Sequence, residues 1–589
     1  LDRWVIGLSV MLEKKPGVID VDKLRAILLM EADFNFANHL FFGKRLRASA
    51  EENNIFPQDT FGSRENNSSI EVSLCRLLFF DMVRQLKFNA ALGSYDAQTC
   101  YDRVVHSFTS MVSRAVGMPI ALINTMLCAI QMMRFHLRTG FGDSKGTYGS
   151  ENRWRPFQGL CQGNGAAPAL WLLISSFLLR YMSGEGHSMQ IMSALTGTML
   201  CYVALMFVDD GDFPTIAANA MESIESVALR HQATVTCWAG GLRVTGGALK
   251  PEKCFWYPIQ WIWKKGIAHV VPAGKVELNI LVRNPEGAIE EIPKLNYEDT
   301  REVMGVIQSP SGTMLGQIAK CKDTISTWTP LLTNGYLHRR LVWRGFWGKL
   351  WPALRYPLPA TSLTKVQSKT LFTPLYKILL PKLGVTSALP LAYRYASETY
   401  FGLGLPDYHL EQTIERLNQY MMHITASTLP GQHMRHTAEQ LQLELGIGTY
   451  FMHTSYRHFG KYATKCWMQF LWKEVSRLPI TINHRSPPIL PLQRANDDYI
   501  MSLILELDKY STTQLKSINN TRIFHQCYSL ADIMTGAGTS IQRKVRSRIR
   551  NTDISTYKWP ASKPCKADFD FSDSALDDIL HRLNQQRKS

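Results

Sequence analysis

Three aspartates within four residues, Asp209, Asp210 and Asp212, close the apolar run CYVALMFV that begins at Cys201. Phe213 to Ala218 resumes an apolar pattern beyond them. Apolar segments with β-branched and aromatic members on both sides of an Asp-Gly turn predict a buried β-hairpin with carboxylates at its tip. Carboxylates this close repel one another, and at the mouth of an apolar hairpin they stay ionised only beside water or a cation. A divalent metal is the natural compensation. Asp and Gly are also ordinary turn formers, so the neighbours must decide whether the tetrapeptide is a site.

Asp96 is the first such neighbour. Phe88 to Tyr95 reads as a strand leading into it, and Val104, Val105, Phe108, Met111, Val112 and Ala115 follow at helical spacing. A carboxylate at a strand's C-terminal end can face a ligand, and it can equally cap the next helix. The loop Gln158 to Pro168, QGLCQGNGAAP, precedes an apolar helix from Ala169 to Met182. Gly163 and Gly165 allow close approach to its backbone, and Pro168 suits the first turn of that helix. The loop matches no Walker or dinucleotide pattern, so spacing alone does not name its ligand.

The elements that must position these residues follow from the same patterns. Gly246 to Lys253 forms a turn, Phe255 to Tyr257 a strand, and Val303 to Ser311 one more short strand and turn. Beyond residue 316 the character is helical, with Ile414, Leu417, Met421 and Ile424 on one face, and Ser486 to Leu492, SPPILPL, reads as a linker. Lys14, Lys15, Lys23, Arg25, Lys44, Arg45 and Arg47 make the first segment basic, which ordinary solvated helix faces explain. Arg543, Lys544, Arg546, Arg548 and Arg550 put five cations in eight residues with no acid, fit either to grip a phosphate backbone or to form a solvated face.

Composition bounds these readings. At 589 residues, 45% hydrophobic and 11% aromatic, the chain is long enough and apolar enough for several cored domains, which excludes a disordered protein. A net charge of +16 points to a polyanionic partner, nucleic acid before a membrane surface. The 11 cysteines include no CxxC pair or Cys/His knuckle, so reduced thiols in an intracellular protein, nuclear or cytoplasmic, are expected. Pro156 to Leu179 and Ser188 to Val208 are uncharged but too rich in Gln, Asn, Gly, Pro and Thr to read as membrane spans. The opening on Leu1 without a leader is what a fragment would show.

Taken together, the segments resemble reverse transcriptases, most closely those of non-LTR (LINE-like) retrotransposons. DAQTCYDRV from Asp96 resembles the family's first palm motif, QGNGAAP its second, FVDD its third, GGALKPEK its fourth, and VMGVIQSPSG the short motif before the thumb. LRAILLMEADFN, GKRL and PQDTFGSR resemble its fingers, and FGLGLPDYHLEQ is similar to a segment past the thumb, so the resemblance covers roughly residues 20 to 425. QGNGAAP lacks the family's more usual Asp-Pro and Ser-Pro, and Asn35 stands near where many relatives have lysine.

The resemblance implies an α+β polymerase right hand. Fingers would occupy residues 1–88, a palm with an antiparallel sheet 89–315, a helical thumb and connection 316–485, and a basic C-terminal region 486–589. It implies an RNA-directed DNA polymerase that extends a DNA primer on an RNA template with deoxynucleoside triphosphates, using two Mg²⁺ ions for which Mn²⁺ can substitute. Asp96, Asp209 and Asp210 would hold the metals, with the Ala97 carbonyl completing one shell. Tyr101 would be the steric gate against a ribose 2′-hydroxyl, and Gln162 and Gly163 would line the nucleotide pocket. Arg25 would contact the triphosphate and Lys253 would protonate pyrophosphate. The alternative is a retroelement-derived nucleic-acid-binding protein that has lost catalysis, against which the intact Asp96, Asp209 and Asp210 argue. No endonuclease or RNase H signature is expected, and no membrane partner.

Overall fold

Two four-stranded sheets organise the N-terminal half of the computed structural model. It describes residues 2–586 other than 15–16, 18–19, 21–23, 99, 151–153, 155, 335 and 551–558, so Lys15 and Lys23 lie outside the described residues. The first sheet contains β1 (Ile6–Glu13) and β2 (Leu24–Leu29), and the second contains β3 (Ala90–Asp96). β4 (Arg134–Thr139) and β5 (Gly142–Gly149) complete the first in the order β2-β1-β4-β5, with β1 parallel to β4 and antiparallel to β2. β6 (Leu205–Phe207), β7 (Asp210–Ile216) and β8 (Phe255–Ile259) complete the second as β8-β3-β7-β6, antiparallel throughout.

The hairpin expected around the aspartates is therefore β6–β7, and the strand expected before Asp96 is β3. β3 reads as a continuous apolar run, not an alternating one, because helices cover it: Ala90, Ala91, Leu92, Gly93 and Tyr95 are all buried. Three helices supply the cover. α1 (Ser69–Leu86) starts from a capping box of Ser68 and Glu71, α2 (Ala167–Gly184) carries Pro168 in its first turn as expected, and α3 (Ile224–Val244) is capped by Ser223.

α1 is apolar on nearly every face because it serves two cores. Val72, Cys75, Phe79 and Phe80 join the core around the second sheet, whereas Leu74, Leu77 and Leu78 join one built from Tyr420 to Ile579. A third core runs from Met314 to Tyr408. The cores do not divide at residue 485: Trp467 and Trp472 share a cluster with Ile500, Met501 and Leu515. The segment expected as a linker contributes buried Leu490, whose carbonyl accepts from the Tyr499 hydroxyl at 2.6 Å.

Three expectations need correction. Val303 to Ser311 is not a single strand and turn: Val303 ends the first strand of a hairpin, Arg301–Val303 against Val306–Gln308, because Met304 and Gly305 both adopt positive φ and turn the chain back. The helical spacing after Asp96 is broken at Val104 and Val105, where the Val105 N–H leaves the helix to pair with the Thr245 carbonyl at 2.9 Å. On α4 (Tyr408–His423), Ile414 and Met421 are exposed, and the buried face carries Gln412, Thr413, Arg416, Tyr420 and His423. That face is tolerated because partners meet it: Gln412 bridges the Leu363 backbone, Arg416 reaches Ser362, and His423 reaches Thr428.

Among the described residues no helix is long and apolar enough to cross a membrane. All 11 cysteines are unpaired thiols.

Candidate active site

The register of β3 against β7 sets Asp96 directly opposite Asp210, and β6 against β7 sets Phe207 opposite Asp210, leaving Val208 and Asp209 as the turn. Three carboxylates thus converge at one end of the second sheet. Val208 has φ of +60°, a region that a β-branched residue enters only at a cost of about 1–2 kcal/mol. The surroundings hold it there. The Trp171 indole donates to the Val208 carbonyl at 2.7 Å, and Gly62 lies so near that a Cβ would stand 2.4 Å from the Val208 nitrogen. Phe61 donates to the Met206 carbonyl at 2.8 Å, and the buried Asp59 carboxylate accepts from the Val203 N–H at 2.9 Å.

Trp171, Asp59 and Gly62 are positioning residues that the sequence reading missed. The one available signal was Trp171, whose buried indole N–H requires an acceptor. Behind the turn, Asp212 is buried against Arg76 of α1, with Nε and Oδ2 3.5 Å apart. His231 of α3 bridges the Tyr95 hydroxyl at 2.8 Å and the Thr215 hydroxyl at 3.0 Å, and burial holds its imidazole down at about 3, so it stays neutral.

The other expected residues gather round the same turn, to differing degrees. Lys253 forms an ion pair with Asp96, and the Lys250 N–H donates to the Asp96 carbonyl at 3.0 Å. Burial works against the Lys253 charge, but Asp96, Asp209 and Asp210 outweigh it and hold the ammonium above its ordinary range. The Ala97 N–H points to the Asp209 carbonyl at 3.4 Å. Arg25, exposed on β2, acts electrostatically on Asp209. Tyr101 is half-buried, and its phenol is pushed up first by burial and then by Cys100 and Asp209.

The Gln162 carbonyl accepts from the Leu28 N–H at 2.7 Å, docking the loop on β2. Gly163 has φ of +131°, and a Cβ there would meet the Leu28 carbonyl oxygen at 2.3 Å, so glycine is required. Asn35 clamps the same loop from its other side, accepting from the Gly165 N–H at 2.7 Å and donating to the Gly163 carbonyl at 3.2 Å. The C-terminal basic cluster is elsewhere. Arg546 pairs with Asp577, Arg548 lies over Phe569, and Arg550 stacks on Phe524 and donates to the Ser562 carbonyl at 2.8 Å, while Arg543 and Lys544 are exposed.

The carboxylates show the repulsion their spacing implied. Burial, then Asp96, raises Asp209, and burial with Asp209, Asp96 and Asp212 pushes Asp210 up to about 7. Hard oxygen donors short of positive charge fit a divalent cation. Among the described residues no group of three or more His, Cys, Asp or Glu side chains is placed to hold a metal ion.

A pH dependence follows. Because the folded Asp210 value of about 7 lies above its ordinary 3.8, its stabilising contribution is complete below the lower value and is lost as pH rises through the higher. In EDTA the melting temperature is expected to fall between about pH 4 and about pH 7, modestly because Asp210 is exposed and solvent screens it. Mg²⁺ should raise it more at the higher pH, and Asp210→Asn should flatten the metal-free profile. A flat wild-type profile measured by calorimetry would refute the coupling.

No family model matches the chain, and no curated protein matches it in sequence. Among solved structures it is similar to the telomerase from Candida albicans in complex with a TWJ fragment of telomeric RNA, at 10% identity and TM-score 0.33, over 74% of this chain and 64% of that one. The corresponding complex from Candida tropicalis is similar at 10% identity and TM-score 0.31, over 73% of this chain and 64% of that one. An apo telomerase from Candida tropicalis truncated from its C-terminal domain gives 14% identity and TM-score 0.29, over 49% and 55%. The chain thus spans between 55% and 64% of the length of these three.

Proposed function

We propose that the chain is an RNA-directed DNA polymerase of a non-LTR retrotransposon, built as a right hand and extending a DNA primer on an RNA template. The observation that carries this reading is the register of β3 on β7, which brings Asp96, Asp209 and Asp210 together beside Arg25, Lys253 and the Gly163 loop. Two Mg²⁺ ions held by Asp96, Asp209 and Asp210 would supply charge stabilisation for in-line nucleotidyl transfer. Arg25 would neutralise phosphate, and the Lys253 ammonium, paired to Asp96, would donate a proton to the departing pyrophosphate. Gln162 and Gly163 would line the pocket of the incoming nucleotide. Primer extension on poly(rA)/oligo(dT) with Mg²⁺ tests the reading. No extension by folded protein on this or a mixed-sequence RNA template would favour the catalytically inactive alternative.

Tyr101 gives a sharper test. If its ring sits under the incoming sugar it excludes a 2′-hydroxyl by overlap, and Tyr101→Val should raise ribonucleotide relative to deoxyribonucleotide incorporation at least about tenfold, about 1.4 kcal/mol of lost discrimination. A purely packing tyrosine would instead cost stability on truncation without changing sugar choice. Single-nucleotide kcat/KM for dTTP and UTP decides between them, and an unchanged ratio in an active variant rejects the gate.

A further inference from the structure

A cleft of about 620 Å³ opens where α1, the loop 311–314 and α5 (Trp467–Val475) meet, away from the carboxylate turn. Its frame is built by two charged residues of α1. Arg84 pairs with Asp81, donates to the Pro310 carbonyl, and lies against Gly312, where a Cβ would stand 3.0 Å from the guanidinium carbon. The other Asp81 oxygen accepts from the Trp467 N–H at 2.6 Å. Both groups are thereby engaged with the protein.

The remaining charges of the cleft are cationic. Lys465 is exposed at its rim and Lys473 extends along α5 over Phe470 at 5.6 Å. Beneath the wall lies Arg416, 1% exposed, its guanidinium 4.8 Å from the Phe470 ring centre and 5.3 Å from that of Trp467. One of its nitrogens reaches Ser362, another lining residue, whereas Nε and Nη1 have no hydrogen-bond partner. Asp81 and Glu474 act on it only through space. A buried cation with unsatisfied donors beneath a wall that also carries two lysines leaves the cleft short of negative charge. The volume is far larger than one phosphate needs and lies in the range of small-molecule sites, and Tyr456, Trp467 and Phe470 provide aromatic surface beside the cations.

We propose that this cleft binds a nucleotide, with its phosphate on Lys465 and Lys473 and its base against the aromatic wall. The nucleotide is either free or one unit of a single strand. The site is independent of the polymerase reading, so the test is run on the full chain in EDTA, where metal-dependent binding at the carboxylates is suppressed. Titration calorimetry with UMP and with inorganic phosphate, and anisotropy of a labelled ten-residue oligo(rU), are compared across wild type, K465Q/K473Q, and the charge-matched exposed control K264Q/K265Q.

If the ligand is free nucleotide, UMP binds wild type more tightly than phosphate does and K465Q/K473Q weakens it at least about tenfold. If it is a strand unit, oligo(rU) affinity falls in K465Q/K473Q and the slope of log affinity against log salt drops by about 0.7, as one lost phosphate contact requires. Either result must spare the control. Equal losses in the two double variants, no loss in K465Q/K473Q, or phosphate binding as tight as UMP with no oligo effect each overturns the proposal. Should the double variant melt early, K465Q alone, altered only at an exposed position, must show the same losses in smaller measure or the site is rejected.

Discussion

Asp209→Ala is expected to lower primer extension about a thousandfold or more while the protein folds as before. Asp209 is one of two residues in the β6–β7 turn, and its carboxylate repels Asp96 across the strand end. If Asp209 holds a metal as proposed, removing it would lose the ion's positioning and the positive charge that would stabilise the reacting phosphate, an effect of several kcal/mol on the transition state. The fold loses little. The contacts that hold the turn, from Trp171 to the Val208 carbonyl and from the Ala97 N–H to the Asp209 carbonyl, are made to backbone and survive. Relief of like-charge repulsion should leave the melting temperature equal or higher. Pre-steady-state extension with Mg²⁺, paired with calorimetry, measures both quantities. Extension near the wild-type rate would remove Asp209 from the metal site.

Although it turns at Val208 and Asp209, and the Asp-Gly pair expected at the turn lies inside β7, the hairpin was legible in sequence because its signal is local: two apolar strands within about a dozen consecutive residues. The same holds for Asp96 at the end of β3, for the glycine loop docked on β2, and for Pro168 in the first turn of α2. Where the determinant was a distant partner, the pattern gave no warning. Ile414 and Met421 have the spacing of a buried stripe, but α4 turns its polar face inward because Leu363, Ser362 and Thr428 wait there with matching groups. α1 carries no motif that marks it in sequence, and only the structure shows that its two faces serve different cores. The basic cluster near residue 546 fitted a phosphate grip and a solvated face equally, because Asp577, Phe524 and Phe569 lie too far along the sequence to be connected with it.

The three aspartates of the turn were equivalent in sequence and are not so in the structure, and Arg76 is the reason. Asp212 faces into the protein at 2% exposure, and Arg76, fully buried between the rings of Phe80 and Phe255, is the only cation in contact with it among the described residues. Burial still raises the Asp212 carboxyl, with Arg76 and the Ser94 hydroxyl opposing, so the pair sits where charge is costly. Breaking such a pair from one side is expensive, whereas neutralising both sides is not. Arg76→Met is therefore expected to cost about 3–5 kcal/mol in denaturant unfolding, and Arg76→Met with Asp212→Asn to recover at least half of that loss. Primer extension should separate the carboxylates again, with the double variant retaining activity that Asp209→Ala lacks. A double variant no more stable than Arg76→Met would show that the two residues do not act as a unit. If Asp212→Asn alone, still folded, abolished extension as completely as Asp209→Ala, Asp212 would belong to the reacting site and its burial against Arg76 would have to open during the reaction.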